Sequence, residues 1–194
     1  AWPSDFVATA VLYGKVKPDW APIFTERKAV PVLLAVVGVA VTVYSGFLLT
    51  QASGVTFWHT ALIPILWVLS GLGCALAVWE FLGFQDKKAL PGTARTAGIV
   101  IEVSELLALF ALLQVAASFS TPGAKAGAMS LISGDWAAMF WIGAVAAGIL
   151  LPLAIRVFGE KARFAAPLCA VLALAGALCI RASVLFAGYF DPLV

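Results

Sequence analysis

Five long apolar stretches constrain the fold of this chain more than any other feature. They lie at about residues 29–50, 58–81, 97–119, 136–156 and 164–188. Each has the length of about 20 mainly apolar residues that a helix needs to cross a hydrocarbon core roughly 30 Å thick. With 63% hydrophobic and 11% charged residues, a water-soluble domain could not bury its apolar side chains. The sequence therefore predicts an all-α integral membrane protein with a bundle of five transmembrane helices over residues 29–190.

Basic residues are unevenly distributed around these stretches. Ten of the twelve Lys and Arg residues fall before the first stretch, between the second and third, or at the junction of the fourth and fifth, whereas only Lys125 falls on the other side. Because loops rich in Lys and Arg stay in the cytoplasm, the pattern predicts a cytoplasmic amino-terminal end. Residues 1–28 are then a cytoplasmic or interfacial segment. A net charge of +2 without a basic stripe gives no indication of a nucleic-acid partner.

Several polar side chains share one depth in the predicted bundle. By the helix rise, Tyr44, Gln114 and Arg181 all lie roughly 22–25 Å from the inner end of their stretches. His59, the only histidine, begins the second stretch on the same outer side. A quinone head group is a flat ring that needs hydrogen-bond donors beside an apolar slot at membrane depth. These four residues are therefore the candidate quinone-binding residues.

Three of the four also have an ordinary structural interpretation. Tyr44 could make an interhelical hydrogen bond, and His59 could be an interfacial residue beside Trp58. Arg181 could pin helices together through a salt bridge or contacts with carbonyl groups. Their shared depth favours the binding role over these alternatives.

Two glutamates lie deeper, in the inner half of the third stretch. Glu102 and Glu105 are three residues apart and therefore share one face of a helix. A charged group inside a bilayer costs about 2.5 kcal/mol or more, so both must face the protein interior or a wet cavity and be paired or protonated. Quinol oxidation releases protons, and these glutamates are the candidate proton-transfer residues.

The sequence leaves little room for other cofactors. One histidine cannot supply the two axial ligands of a b-type haem, and the two methionines do not lie opposite it. Cys74, Cys169 and Cys179 are scattered through apolar stretches without the spacing of an iron–sulfur or other metal site. The prediction is a quinone as cofactor, with no haem, iron–sulfur cluster or metal in this chain.

Two motifs resemble a known family. The stretch "VYSGFLLTQ", followed by "FWHTALIPILWVLSGLGCALA", and the last stretch "LAGALCIRASVLFAGYF" are similar to the NrfD/PsrC family of polysulfide-reductase-type membrane subunits. The residues that carry the likeness are Tyr44–Leu49, Trp58, Ile63–Pro64, Ser70–Gly71, Gly176, Ile180–Arg181 and Ala187–Gly188.

The resemblance implies a haem-free anchor that binds menaquinone or ubiquinone in a bacterial or archaeal cytoplasmic membrane. It implies electron exchange with a four-cluster iron–sulfur subunit joined to a molybdopterin catalytic subunit, so that substrate chemistry lies on a partner. It also implies that Tyr44 borders the quinone and that Glu102, Glu105 and Arg181 serve proton movement. Family members have eight or more spans. This chain is therefore expected to be the carboxyl-terminal part of a larger bundle, to be completed by another chain, or to be a shortened relative.

Two other function classes remain open at this point. One is a structural or assembly anchor without a ligand, which would hold peripheral partners at the membrane. The other is a small-solute transporter, for which paired discontinuous spans or an internal repeat would be expected, and neither is evident.

Overall fold

The computed structural model describes residues 29–85, 92–118, 121–158 and 165–190. It divides into two units, residues 1–41 and 42–194, and the boundary falls within the first helix. The described part of the first unit is the beginning of that helix, where residues 35–41 are all exposed. The segment 1–28, expected to be cytoplasmic or interfacial, lies outside the described residues.

Within the described ranges the protein is helical and forms no strand. The elements are α1 (Ala29–Thr50), α2 (Leu62–Gln85), α3 (Gly92–Ser118), α4 (Pro122–Ile132), the π-helix π1 (Met139–Leu150), α5 (Leu151–Phe158) and α6 (Ala165–Phe186). In the part of the chain that the structure describes, five helical segments are long and apolar enough to cross a membrane, with π1 and α5 together forming the fourth. This confirms the prediction of an all-α bundle with five spans.

The span boundaries differ from the predicted ones where local chemistry intervenes. The second span begins at Leu62 because Thr56–Trp58 forms a separate 3₁₀ turn. Pro64 fits in the first turn of α2, where backbone N–H groups have no partner within the helix. The segment 120–135, expected to be a connection, contains α4. Thr121 precedes this helix and Pro122 occupies its first position, which is a common way for a helix to begin.

The fourth span changes its winding partway along. Leu151 donates its N–H to the carbonyl oxygen of Ala146, five residues back, and the backbone continues as an α-helix from Leu151. Where this span packs against α6, a glycine of each helix lies at the contact. A Cβ atom added at Gly148 would lie 2.5 Å from Gly176 Cα. The backbones of π1 and α6 therefore touch at this glycine pair, which permits a close helix crossing.

Four spans form a ring within the second unit. Helix α2 packs against α3 and α6, and the π1–α5 span packs against α6 and α3. The apolar core fills the half of this ring nearest α4, where Phe57 is fully buried and Trp136 stacks on Phe186 with ring centroids 4.4 Å apart. From Thr42 onward, α1 meets α2 through Gly46, at which a Cβ atom would lie 2.7 Å from Pro64 Cα. The other half of the ring holds charged side chains.

Candidate functional site

Arg156 is the centre of a buried ion cluster in that half of the bundle. Its Nε donates a hydrogen bond to Glu102 Oε1 at 2.8 Å, and its Nη1 donates to Glu80 Oε1. The three residues come from α5, α3 and α2, and each is less than 10% exposed. The cluster therefore ties three membrane spans together with charge-assisted hydrogen bonds.

Sequence reasoning missed this pairing. In the sequence, Arg156 counts only among the basic residues at the junction of the fourth and fifth stretches, and Glu80 is not singled out. Both residues lie near the same predicted inner end of their stretches, one acidic and one basic. Comparing the depths of opposite charges would have indicated the pair, because an ionisable residue within a span needs a partner.

Two further residues hold the Arg156 guanidinium and backbone in place. A Cβ atom at Gly98 would lie 2.5 Å from Arg156 Nη1, so the missing side chain provides the space that the guanidinium fills. Arg95 donates from Nε to the Arg156 carbonyl oxygen at 2.7 Å and from Nη2 to the Val157 carbonyl oxygen at 3.0 Å. These bonds satisfy carbonyl groups at the carboxyl end of α5, where a positive charge is favourable.

Glu105 lies one helical turn beyond Glu102 on α3 and adds a further carboxyl group beside the ion cluster. It is buried like Glu102, and both line one small cavity, as their predicted common helix face requires. Glu105 Oε1 and Glu102 Oε2 have no hydrogen-bond partner among the described residues. Glu105 also lies within electrostatic range of Glu102 and Arg181.

Arg181 lies half-buried on α6 and reaches towards α2. Its Nε and Nη2 donate to Ser70 Oγ at 3.4 and 3.3 Å, and Nη2 also approaches the Trp67 carbonyl oxygen at 3.5 Å. The guanidinium carbon lies 5.8 Å from the centre of the Trp67 ring, which is a cation–π distance. No carboxylate within the described ranges forms an ion pair with Arg181. Because Ser70 also lines the cavity of Glu105, it connects the two groups.

The other three quinone candidates lie on the surface of the described structure. Tyr44 is 63% exposed, and it is two residues before Gly46, the residue of α1 that meets α2. Gln114 is exposed on α3. His59 is exposed as well, with Nε2 3.0 Å from the Ala52 carbonyl oxygen. Among the described residues, none of these three is hydrogen-bonded to another or to Arg181.

In the described part of the chain, five helices can span a membrane, and four of them form a ring around a buried cluster of ionisable side chains. This defines a multi-pass membrane protein with a polar interior. Residues 15–192 match the family described as "Polysulphide reductase, NrfD", and the protein belongs to this family. The resemblance found in the sequence is thereby confirmed.

Three curated relatives are similar to the protein over most of its length. Protein NrfD homolog of Haemophilus influenzae is 26% identical over 169 residues, covering 82% of this sequence and 52% of the relative. The C subunit of polysulfide reductase from Wolinella succinogenes is 25% identical over 186 residues, covering 91% and 58%. Protein NrfD of Escherichia coli is 24% identical over 172 residues, covering 84% and 53%. The sequence thus spans about half the length of these relatives. No solved structure matches it.

Proposed function

We propose that this protein is a quinone-binding membrane subunit of a respiratory reductase complex. It exchanges electrons between the quinone pool and a peripheral iron–sulfur subunit, which is joined to a molybdopterin-type catalytic subunit. Family membership and the similarity to the polysulfide reductase C subunit of Wolinella succinogenes support this proposal. The basic residues favour an amino-terminal end in the cytoplasm of a bacterial or archaeal cell.

The observation that carries the proposal is the set of contacts made by Arg181. A guanidinium inside a membrane span needs acceptors, and the hydrogen bonds that it makes within the described structure are all 3.3 Å or longer. No carboxylate among the described residues pairs with it. A quinone carbonyl oxygen is an uncharged acceptor that would complete its hydrogen bonding, and the Trp67 ring beside it is apolar. Menaquinone and ubiquinone both have this carbonyl group.

Tyr44 would donate a hydrogen bond to the quinone head group from the exposed side of α1. Because this side chain is largely exposed, a quinone held there would lie on the exposed face of α1. His59 and Gln114, at the same predicted depth, are the further candidate donors to the head group. The close contact at Gly46 fixes α1 against α2 and so determines where Tyr44 lies.

Extraction of bound quinone from the purified complex tests the function itself. A quinone in stoichiometric amount, with a spectrum that changes on reduction, is expected. A complex that is fully assembled and free of quinone would favour the alternative, a structural anchor without a ligand.

Tyr44→Phe should weaken quinone binding about three- to tenfold, because one neutral hydrogen bond contributes about 1 kcal/mol. The substitution keeps the ring, so the complex should still assemble. Arg181→Leu should weaken binding more, by about tenfold or more, because charged donors contribute about 1.5–3 kcal/mol. Titration of the purified complex with quinone measures both effects.

Tyr189→Phe is the matched control for this experiment. Tyr189 follows the end of α6 and is not one of the candidate quinone-binding residues, so the loss of its hydroxyl group should leave quinone affinity unchanged. Wild-type affinity and turnover in Tyr44→Phe would show that the hydroxyl group is not a ligand and that Tyr44 is a packing residue.

Glu102 and Glu105 are proposed to transfer protons between the quinone and the cytoplasm. Three buried carboxyl groups, those of Glu80, Glu102 and Glu105, accompany one buried guanidinium, that of Arg156, in the described part of the bundle. An uncompensated charge in this environment is costly, so at least one of the carboxyl groups would hold a proton. A proton held there can be passed on when the quinone reacts.

Glu105→Gln should slow quinone turnover by about tenfold or more while quinone affinity stays nearly the same, because acid–base groups commonly contribute about 10²–10⁴-fold. Steady-state turnover and quinone titration measure the two quantities. Glu102→Gln is the informative comparison, since it also loses a charged acceptor of Arg156. If the glutamates have only a structural role, turnover should fall in Glu102→Gln alone. If they transfer protons, turnover should be slow in both variants.

The end of the bundle that carries α4 is the proposed contact with the iron–sulfur subunit. Helix α4 exposes Met129 and Ile132, and the connection after α1 contains few charges. Backbone amides in residues 51–57 and 121–135 should exchange hydrogen about tenfold or more slowly in the complex than in the isolated protein. Equal exchange in the two samples would place the partner elsewhere.

A further inference from the structure

One small cavity lies inside the ring of spans, between the ion cluster and Arg181. Its wall includes side chains from α2, α3, α5 and α6, among them Ser70, Cys74, Glu102, Glu105 and Arg156. About 10 Å³ of it is open to the centre of a water molecule. This is close to the minimum space for one water molecule, and it is far too small for a quinone ring.

Two residues of the cavity wall, Glu102 and Glu105, each have a buried carboxyl oxygen with unused hydrogen-bonding capacity. Glu102 uses Oε1 for Arg156 and leaves Oε2 without a partner in the described structure, and Glu105 Oε1 is also without one. Both residues are more than nine-tenths buried. A buried acceptor without a donor costs about 1–3 kcal/mol, and more when it is charged. Something in the cavity that donates hydrogen bonds would remove this cost.

We propose that the cavity is a binding site for one resident water molecule that bridges Glu102 Oε2 and Glu105 Oε1. Buried water commonly makes two to four hydrogen bonds, and this site offers that number. The water can donate one hydrogen to each carboxylate oxygen. The Arg156 guanidinium and the Cys74 thiol, which line the same space, can donate to its oxygen.

A metal cation suits the cavity less well than water. The Arg156 guanidinium in the wall repels positive charge. In the described ranges, no group of three or more His, Cys, Asp and Glu side chains is arranged to hold a metal ion. A neutral molecule that both donates and accepts hydrogen bonds fits both the carboxylates and the guanidinium.

A structure of the assembled wild-type complex, at a resolution that shows ordered water, tests the proposal. The expected result is a peak about 2.5–3.0 Å from both Glu102 Oε2 and Glu105 Oε1. An empty cavity, or a peak in contact with neither oxygen, would overturn it.

Two substitutions at Glu105 test which group holds the water. Glu105→Gln keeps a polar partner of nearly the same shape, so the peak should remain. Glu105→Leu has a similar volume but no polar atom, and the peak should disappear because the site loses one of its two acceptors. A peak that stays in place in Glu105→Leu would contradict the bridging arrangement.

Gly73→Ala tests the consequence of the water for proton transfer, and this part of the inference rests on the proposed function. Gly73 lines the cavity, and its added Cβ would lie 3.6 Å from Ile101 Cγ2, an ordinary contact. The methyl group should displace the water without touching either glutamate and slow turnover several-fold at unchanged quinone affinity. Gly92→Ala is the control, because a Cβ atom there would meet no atom of the described residues within 4 Å beyond its own stretch of backbone. Loss of the peak with wild-type turnover would contradict the proton relay and leave the water site standing.

Discussion

Arg156→Leu should lower the free energy of unfolding by about 3–5 kcal/mol, because removing one partner of a buried ion pair leaves the remaining charge uncompensated. Here two carboxylates, Glu80 and Glu102, would lose their shared cation at once. Leucine fills much of the space of the arginine stem, so the loss would come mainly from the charges and only partly from packing. Equilibrium unfolding of the purified protein in mixed micelles measures the change.

A combined substitution separates charge from packing in this experiment. Arg156→Leu together with Glu80→Gln and Glu102→Gln removes all three charges of the ion cluster, and more than half of the lost stability should return. Replacing a complete buried ion pair by neutral groups is often nearly neutral in stability. Stability that stays equally low in the triple variant would show that packing of the arginine side chain is the main contribution. Wild-type stability in Arg156→Leu itself would mean that the cluster does not stabilise the bundle.

Gly176→Leu should cost about 3 kcal/mol or more, since overpacking a tight contact commonly costs about 1–3 kcal/mol and here the obstacle is backbone. Gly176 and Gly148 lie where α6 crosses π1, and a Cβ atom at either one would strike the backbone of the other. A backbone atom cannot rotate away, so the two spans would have to separate. Thermal unfolding in detergent, in which the folded fraction is measured as the temperature rises, gives the effect on stability.

Gly92→Leu is the control for this substitution. Gly92 begins α3, and among the described residues no atom beyond its own stretch of backbone lies within 4 Å of the position of its Cβ atom, so the same change in residue should leave stability nearly unaltered. The loss in free energy of unfolding for Gly176→Ala should lie between the losses for these two variants, at about 1–3 kcal/mol. If Gly176→Leu were as stable as Gly92→Leu, the contact between the two backbones would not be a determinant of the fold.

The five spans could be predicted because a bilayer imposes one length and one composition on any helix that crosses it. The common buried face of Glu102 and Glu105 could be predicted for a similar reason, since helix geometry alone places residues three apart on one side. Neither prediction depends on which helices pack against each other. Both therefore depend only on local sequence.

The partners of those glutamates depend on which helices pack together, and the sequence does not contain that information locally. Glu80 and Arg156 lie near the ends of their stretches, where a charged residue ordinarily contacts the membrane surface. Gly98 has a role only because Arg156 fills the space beside it. Helix α4 was missed because its Gly, Ala and Ser residues are typical of a connection, whereas in the structure small residues such as Gly127 let it lie close to Phe57.

The ion cluster also has a consequence for how the protein is made. Glu80 and Glu102 are 76 and 54 residues ahead of Arg156, so ribosomes synthesise both carboxyl groups well before the cation that pairs with them. The hairpin of α2 and α3 thus enters the membrane with three acidic side chains, those of Glu80, Glu102 and Glu105, before the cation that pairs with the first two is made. The Glu80 and Glu102 carboxyl groups of this hairpin have no cationic partner among the described residues until the fourth span is inserted. Until Arg156 is synthesised, protonation of the Glu80 and Glu102 carboxyl groups would lower the cost of holding this hairpin in the membrane.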